Sequence, residues 1–116
     1  MKDLPISDVA RLFGLRTSAI RYYEQIGFAG LKYLEEFGEV DVAFRLMRTH
    51  WGLGLATEAA LASVRFGFAD LGLKRIIGLV MPENIASVRV LEKTGLRYAE
   101  TVTFWGSQFS KYVITQ

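Results

Sequence analysis

His50–Ala60 reads HWGLGLATEAA. Gly52 and Gly54 stand two apart, directly before a run of helix formers. A helix start leaves its first N–H groups without intrahelical acceptors and carries a partial positive charge. Glycines remove the Cβ atoms that would hold a bulky anion away from the backbone. The pattern predicts a phosphate-binding turn that needs no lysine. Gly-x-Gly before a helix also marks ordinary tight turns, so the flanking segments must decide.

Upstream, Val40, Val42, Phe44 and Leu46 alternate with Asp41, Ala43 and Arg45, which predicts a strand over Val40–Met47. Downstream, a helix is expected from Leu55 to Leu71. Leu61, Val64, Phe68 and Leu71 form its buried stripe, and Gly72 stops it. Arg75–Val80, RIIGLV, reads as an interior strand ended by Pro82. Ile85–Lys93 reads as a helix opened by Asn84 and closed by Gly95. Strands near Arg97–Phe104 and Phe109–Thr115 follow, joined at Gly106-Ser107. The order β-α-β-α-β-β places this part in the mixed α/β class.

The first 37 residues read differently. Ile6–Gly14 suits a short helix capped by Asp3 or Ser7, and Gly14 gives a turn. Thr17 or Ser18 caps a second helix that runs to about Gln25 and ends at Gly27. Two helices joined this way form a helix-turn-helix. A third helical piece is expected within Phe28–Phe37, around LKYLEEF. The expected organisation is a helical segment over 1–37 and an α/β unit over 38–116.

A chain of 116 residues suits one compact domain, and 14 basic against 12 acidic side chains give a net charge of +2. That balance does not favour a nucleic-acid partner. Cysteine is absent and His50 is the only histidine, so no disulfide framework and no metal site are expected. No apolar run approaches the roughly 20 residues of a membrane span. The opening MKDLPISD lacks a secretory signal, so a cytoplasmic location is the expectation.

HWGLGLATEAA resembles the pyrophosphate loop of the GNAT N-acetyltransferase superfamily. It is similar to the branch that acetylates protein N-termini, ribosomal proteins and aminoglycosides. FADLGLKRI and PENIASVRVLEKTGL share that character, with Asn84, Ser87, Leu91, Glu92, Lys93 and Gly95 at matching places. The resemblance covers residues 38–116 and implies a partial GNAT-like sheet with acetyl-CoA as co-substrate and no metal. It implies that backbone N–H groups around Gly52, Leu53, Gly54, Leu55 and Ala56 hold the CoA pyrophosphate. Thr49, with Arg48 beside it, stands where the family carries Gln or Arg. Strand Val40–Met47 would offer backbone groups to the pantetheine arm, and Asn84 would bond that arm. Asn84 reads equally well as a helix N-cap.

The resemblance also implies Ser87 as an acid for the departing thiolate, although Ser87 reads as well as a small packing residue. Leu91 occupies the position where many members carry an acid Tyr. Tyr98 is a substitute, and Glu39 and Asp41 are the nearest carboxylates for a base. These two also read as solvated strand residues, and Tyr98 as core. The reaction asks little of them, because a neutral amine attacks the thioester and water can remove its proton. Trp51 reads as an apolar plug behind the turn, and His50 as exposed or capping. The acceptor amine is not identified by the sequence.

Residues 6–28, with SAIRYYEQIGF as the specific portion, resemble the opening of a MerR-type transcription regulator. That resemblance implies DNA contacts from Arg16, Thr17, Arg21 and Tyr22. The family's wing and long dimer helix have no counterpart here, and the first 37 residues balance five basic against five acidic side chains. Two alternatives to the acyl-CoA reading therefore stand: a MerR-like DNA-binding regulator, and a chimeric folded protein without evolved activity, joined near Phe28–Gly38. With the N-terminal half of the GNAT sheet missing, Val40–Met47 would have a free edge. That edge predicts a homodimer, with the N-terminal helices covering the sheet.

Overall fold

The strand pattern begins earlier than expected. In the computed structural model, which describes residues 4–5, 27–46 and 54–116, Leu4–Pro5 forms a short β1 and Gly27–Leu34 forms β2. Then come β3 at Glu39–Leu46, α1 at Leu55–Ala69, β4 at Arg75–Val80, α2 at Ile85–Lys93, β5 at Arg97–Phe104 and β6 at Ser107–Thr115. From Gly38 onward this is the expected β-α-β-α-β-β order, and the class is mixed α/β. The strands form one six-stranded sheet in the order β1-β2-β3-β4-β6-β5. The helix-turn-helix expected over residues 6–26 lies outside the described residues.

The third helical piece is a correction. Leu31 and Leu34 have the i, i+3 spacing of a helix face, yet both lie in β2. Leu31 pairs with Val42 and Leu34 with Glu39. Successive strand residues face opposite sides, so a spacing of three puts these leucines on different faces. Both are buried there. The turn is closed by Phe37 N–H on the Leu34 carbonyl and Gly38 N–H on the Glu35 carbonyl, each 3.2 Å. Backbone pairing with β3 outweighs the helix propensity of Glu35 and Glu36.

A second correction follows. The β3 edge expected to be free is taken by β2, antiparallel from Gly27↔Leu46 to Leu34↔Glu39. A homodimer built on that edge loses its physical reason. The expected border at 37/38 falls in the hairpin turn of a continuous sheet.

Both helices pack on one face. A Cβ placed on Gly67 of α1 would meet Ile76 Cδ1 at 2.7 Å and Leu31 Cδ1 at 3.3 Å. The buried face of α1 is made of small residues, Ala59, Ala60 and Ser63, with Val64 and Phe66. The larger stripe expected there is partly displaced. The helix ends at Ala69, and Leu71 lies beyond it, 39% exposed. On α2, Leu91 is buried directly over Gly78 of β4, where a Cβ would lie 2.6 Å from Leu91 Cδ2. Leu96 and Tyr112 complete this part of the core. The β5–β6 hairpin turns through Trp105 and Gly106, both with positive φ (51° and 74°). That is the pattern of a two-residue type I′ turn, so β6 starts at Ser107 rather than Phe109.

Candidate functional site: a helix start beside parting strands

α1 opens on Gly54, whose φ of 74° and ψ of 3° place it in the left-handed region. Among the described residues, no side chain caps this end, and no heavy atom lies within 4 Å of where a Gly54 Cβ would stand. The Gly54 carbonyl accepts from Glu58 N–H at 3.0 Å, the first intrahelical bond. The N–H groups of Leu55, Ala56 and Thr57 precede that bond and have no intrahelical acceptor. The backbone there favours glycine, and among the described residues the space above it is open. These features suit an anion. Gly52 and Leu53, with Arg48, Thr49, His50 and Trp51, lie outside the described residues.

Beside this helix start the sheet parts. β3 and β4 run parallel and register at Asp41↔Ile77 alone, whereas β4 pairs with β6 along its whole length. From Ala43 to Leu46, the β3 backbone groups that point away from β2 have no β4 partner. A slot thus opens between two neighbouring strands, on the side toward the start of α1.

Asn84 caps α2. Its Oδ1 accepts from Ser87 N–H at 3.2 Å, and the Asn84 carbonyl accepts from Val88 N–H at 3.1 Å. The side-chain amide N–H groups of Asn84 remain available at this exposed position. Ser87 is half-buried in the first turn of α2. Leu91 is core, 1% exposed against Gly78, so no acid could act from its position without repacking.

The remaining proton-handling candidates are held differently. Glu39 is ion-paired twice, to Arg75 on β4 and to Lys111 Nζ on β6 at 3.0 Å. Its carboxylate is held by both cations, and the three side chains form a cross-strand clamp. The Tyr98 hydroxyl shares a 2.9 Å hydrogen bond with Thr101 Oγ1, and its ring meets Tyr112 edge-on at 5.8 Å. Asp41 is buried, and its Oδ1 accepts from Leu79 N–H at 3.2 Å. Burial raises its pKa to about 7, against the pull of that N–H and of Lys32.

The clamp partners Arg75 and Lys111 are not identified by sequence reasoning. The one available signal is Lys111, a cation in mid-strand directly before Tyr112, Val113 and Ile114 of β6. The alternative DNA-contact residues Arg16, Thr17, Arg21 and Tyr22 lie outside the described residues. Among the described residues no group of three or more His, Cys, Asp or Glu could hold a metal, and no helix is long and apolar enough to cross a membrane.

Residues 8–97 match the family described as the acetyltransferase (GNAT) domain. The match begins inside the segment that resembles a MerR-type helix-turn-helix and runs across the expected border at 37/38. The chain is 33% identical over 91 residues to the uncharacterised protein YkkB of Bacillus subtilis, covering 77% of this chain and 53% of that protein. It is 39% identical over 72 residues to FsC-acetyl coenzyme A-N(2)-transacetylase of Aspergillus fumigatus, covering 62% of this chain and 28% of that protein. It superposes on the crystal structure of an acetyltransferase from Agrobacterium tumefaciens with a TM-score of 0.69 at 28% identity, over 78% of this chain and 53% of that one. The chain spans about half the length, or less, of these curated relatives.

Proposed function

Because the chain belongs to the GNAT acetyltransferase family, we propose that it binds acetyl-CoA and transfers the acetyl group to an amine. The observation that carries this reading is the juxtaposition of an uncapped helix start at Gly54 with parallel strands that part after Asp41↔Ile77. The first feature supplies N–H donors and a positive dipole end for a pyrophosphate. The second supplies unpaired backbone groups for the amide-bearing pantetheine arm. Gly52, Leu53, Gly54, Leu55 and Ala56 form the cradle in this reading, Arg48 and Thr49 flank it, and Asn84 bonds the arm through its free amide N–H.

The nitrogen of a neutral amine attacks the thioester carbonyl carbon. The C–N bond forms, the C–S bond breaks, and CoA leaves as a thiolate, which Ser87 protonates in this reading. The amine's surplus proton leaves through water, since Glu39 is committed to two cations and the Tyr98 hydroxyl to Thr101. Holding amine and thioester together supplies most of the acceleration, because orientation alone is worth several kcal/mol. The acceptor class follows the branch that the loop resembles: a primary amine on a protein, peptide or small molecule.

Thermal unfolding with acetyl-CoA tests the binding step. Ligand at a hundred times its Kd stabilises a native state by about 2.7 kcal/mol, so the Tm rises with concentration. Gly52→Val and Gly54→Val are expected to abolish that rise, and because valine strains the left-handed backbone at Gly54, the ligand-free Tm of each variant is read beside it. Turnover is read as free thiol released in the presence of amines. The chain has no cysteine, so every thiol detected is CoA. A Tm that stays flat to millimolar acetyl-CoA overturns the reading.

A further inference from the structure

Asp41 sits where the parallel ladder stops. Gln116 N–H bonds the Lys74 carbonyl at 3.0 Å, and β4 and β6 continue in register from Arg75↔Thr115 to Val80↔Ser110. In an antiparallel pair, alternate residues exchange both of their hydrogen bonds. The even-numbered N–H groups of β4 therefore point to β6, and those of Ile77 and Leu79 point to β3. After Asp41↔Ile77, the next rung of a regular parallel ladder would carry Leu79 N–H to the Val42 carbonyl. That rung is absent. Leu79 N–H donates instead to Asp41 Oδ1 at 3.2 Å. A side-chain oxygen has taken the place of a backbone carbonyl at the apex of the slot.

We infer that Asp41 is a positioning residue: its carboxyl group braces β3 against β4 at the point of divergence and thereby sets the width of the acyl-CoA slot. The side-chain oxygen reaches Leu79 from a strand that has already turned away. β3 can therefore leave its ladder without abandoning a buried N–H, a group that is costly to leave unpaired. Asp41 is 9% exposed and cannot exchange this bond freely for water. Lys32 on β2 pairs across from it. Glu39, two residues earlier on β3, is neutralised by Arg75 and Lys111. The inference rests on the acyl-CoA reading of the slot, but it assigns Asp41 a different part from proton transfer.

Two substitutions separate the brace from a base. Asp41→Ala removes the acceptor oxygen, whereas Asp41→Asn keeps one oxygen in place and abolishes basicity. Leu79 amide exchange, measured in the ligand-free chain, is expected to accelerate at least tenfold in Asp41→Ala and to be restored by Asp41→Asn. Acetyl-CoA affinity is expected to follow the same order, about tenfold weaker in Asp41→Ala and largely rescued in Asp41→Asn, with the pH profile of kcat/KM keeping its limbs. Should Asp41→Ala not fold, Asp41→Ser, whose oxygen is too short to reach Leu79, takes its place. Loss of kcat in Asp41→Asn with acetyl-CoA affinity intact would make Asp41 a base and overturn the inference. Equal affinity in the parent and Asp41→Ala would also overturn it while leaving the acyl-CoA reading standing. A parent chain that binds no acetyl-CoA would remove both.

Discussion

A carboxylate buried to 9% exposure ties stability to pH. Asp41 titrates at an ordinary 3.8 when unfolded and at about 7 when folded, because burial disfavours its charge more than Leu79 N–H and Lys32 favour it. Between those pH values the native chain keeps a proton that the unfolded chain has released. The contribution of Asp41 to stability is therefore highest below 3.8 and falls as pH rises through the window. Above pH 7 the loss is complete, on the order of 4 kcal/mol. The expected outcome is differential. Unfolding by urea at pH 5 and pH 8 should show the parent losing stability relative to Asp41→Asn, which has no proton to release. A constant difference between the two chains across that range would mean that Asp41 is ionised throughout. The same residue shows what sequence reading can and cannot supply. Alternation places Asp41 on a strand ahead of the glycine turn, but its burial depends on β4, which arrives 36 residues later in the chain (41 to 77).

At the scale of elements, α2 is held close to β4 by the absence of a side chain. A Cβ on Gly78 would sit 2.6 Å from Leu91 Cδ2, 3.1 Å from Leu91 Cδ1 and 3.3 Å from Leu96 Cδ2. Gly78→Ala should destabilise the fold by about 1–3 kcal/mol through overpacking. Adding Leu91→Ala should restore part of that loss rather than add to it, a coupling that a double-mutant cycle in urea resolves. Additive losses would mean that the helix shifts freely on the sheet. The elements from β3 onward were legible because each carries its own punctuation: Gly54 before α1, Gly72 after it, Asn84 before α2 and Gly95 after it. β2 was not legible. Leu31 and Leu34 mimic a helix face, and only the register with Val42 and Glu39 reveals that they bury on two sides of a sheet. The glycine turn before α1 could be read from Gly54 because its left-handed φ is a property of one residue. The Glu39–Arg75–Lys111 clamp could not, because its members come from three strands.

The whole sheet is two antiparallel blocks, β1-β2-β3 and β4-β6-β5, joined by one parallel register point. α1 crosses from one block to the other and packs on β2, β3 and β4, which ties them on the helix face. On the opposite face the tie is electrostatic. Glu39 of the first block reaches Arg75 and Lys111 of the second. Lys111 is 8% exposed, with its ammonium also 5.5 Å from the Phe37 ring centroid. An ammonium so enclosed depends on its counter-ion, and removing one partner of a buried pair leaves the other charge uncompensated. Glu39→Gln should therefore destabilise the chain by roughly 3 kcal/mol, whereas Arg75→Gln, at the half-exposed end of the clamp, should cost under about 1 kcal/mol. Placing the effect on the join rather than on either block requires a local measurement. In Glu39→Gln, amide exchange should quicken at Ile77 and Leu79, whose N–H groups face β3, and hold steady at Ile76 and Gly78, which bond to β6. Uniform quickening across β4 would mean that the clamp supports the second block alone. The contrast matters for function because the slot lies between the blocks, so a looser join should weaken acetyl-CoA binding even though Glu39 touches no ligand in the proposed site.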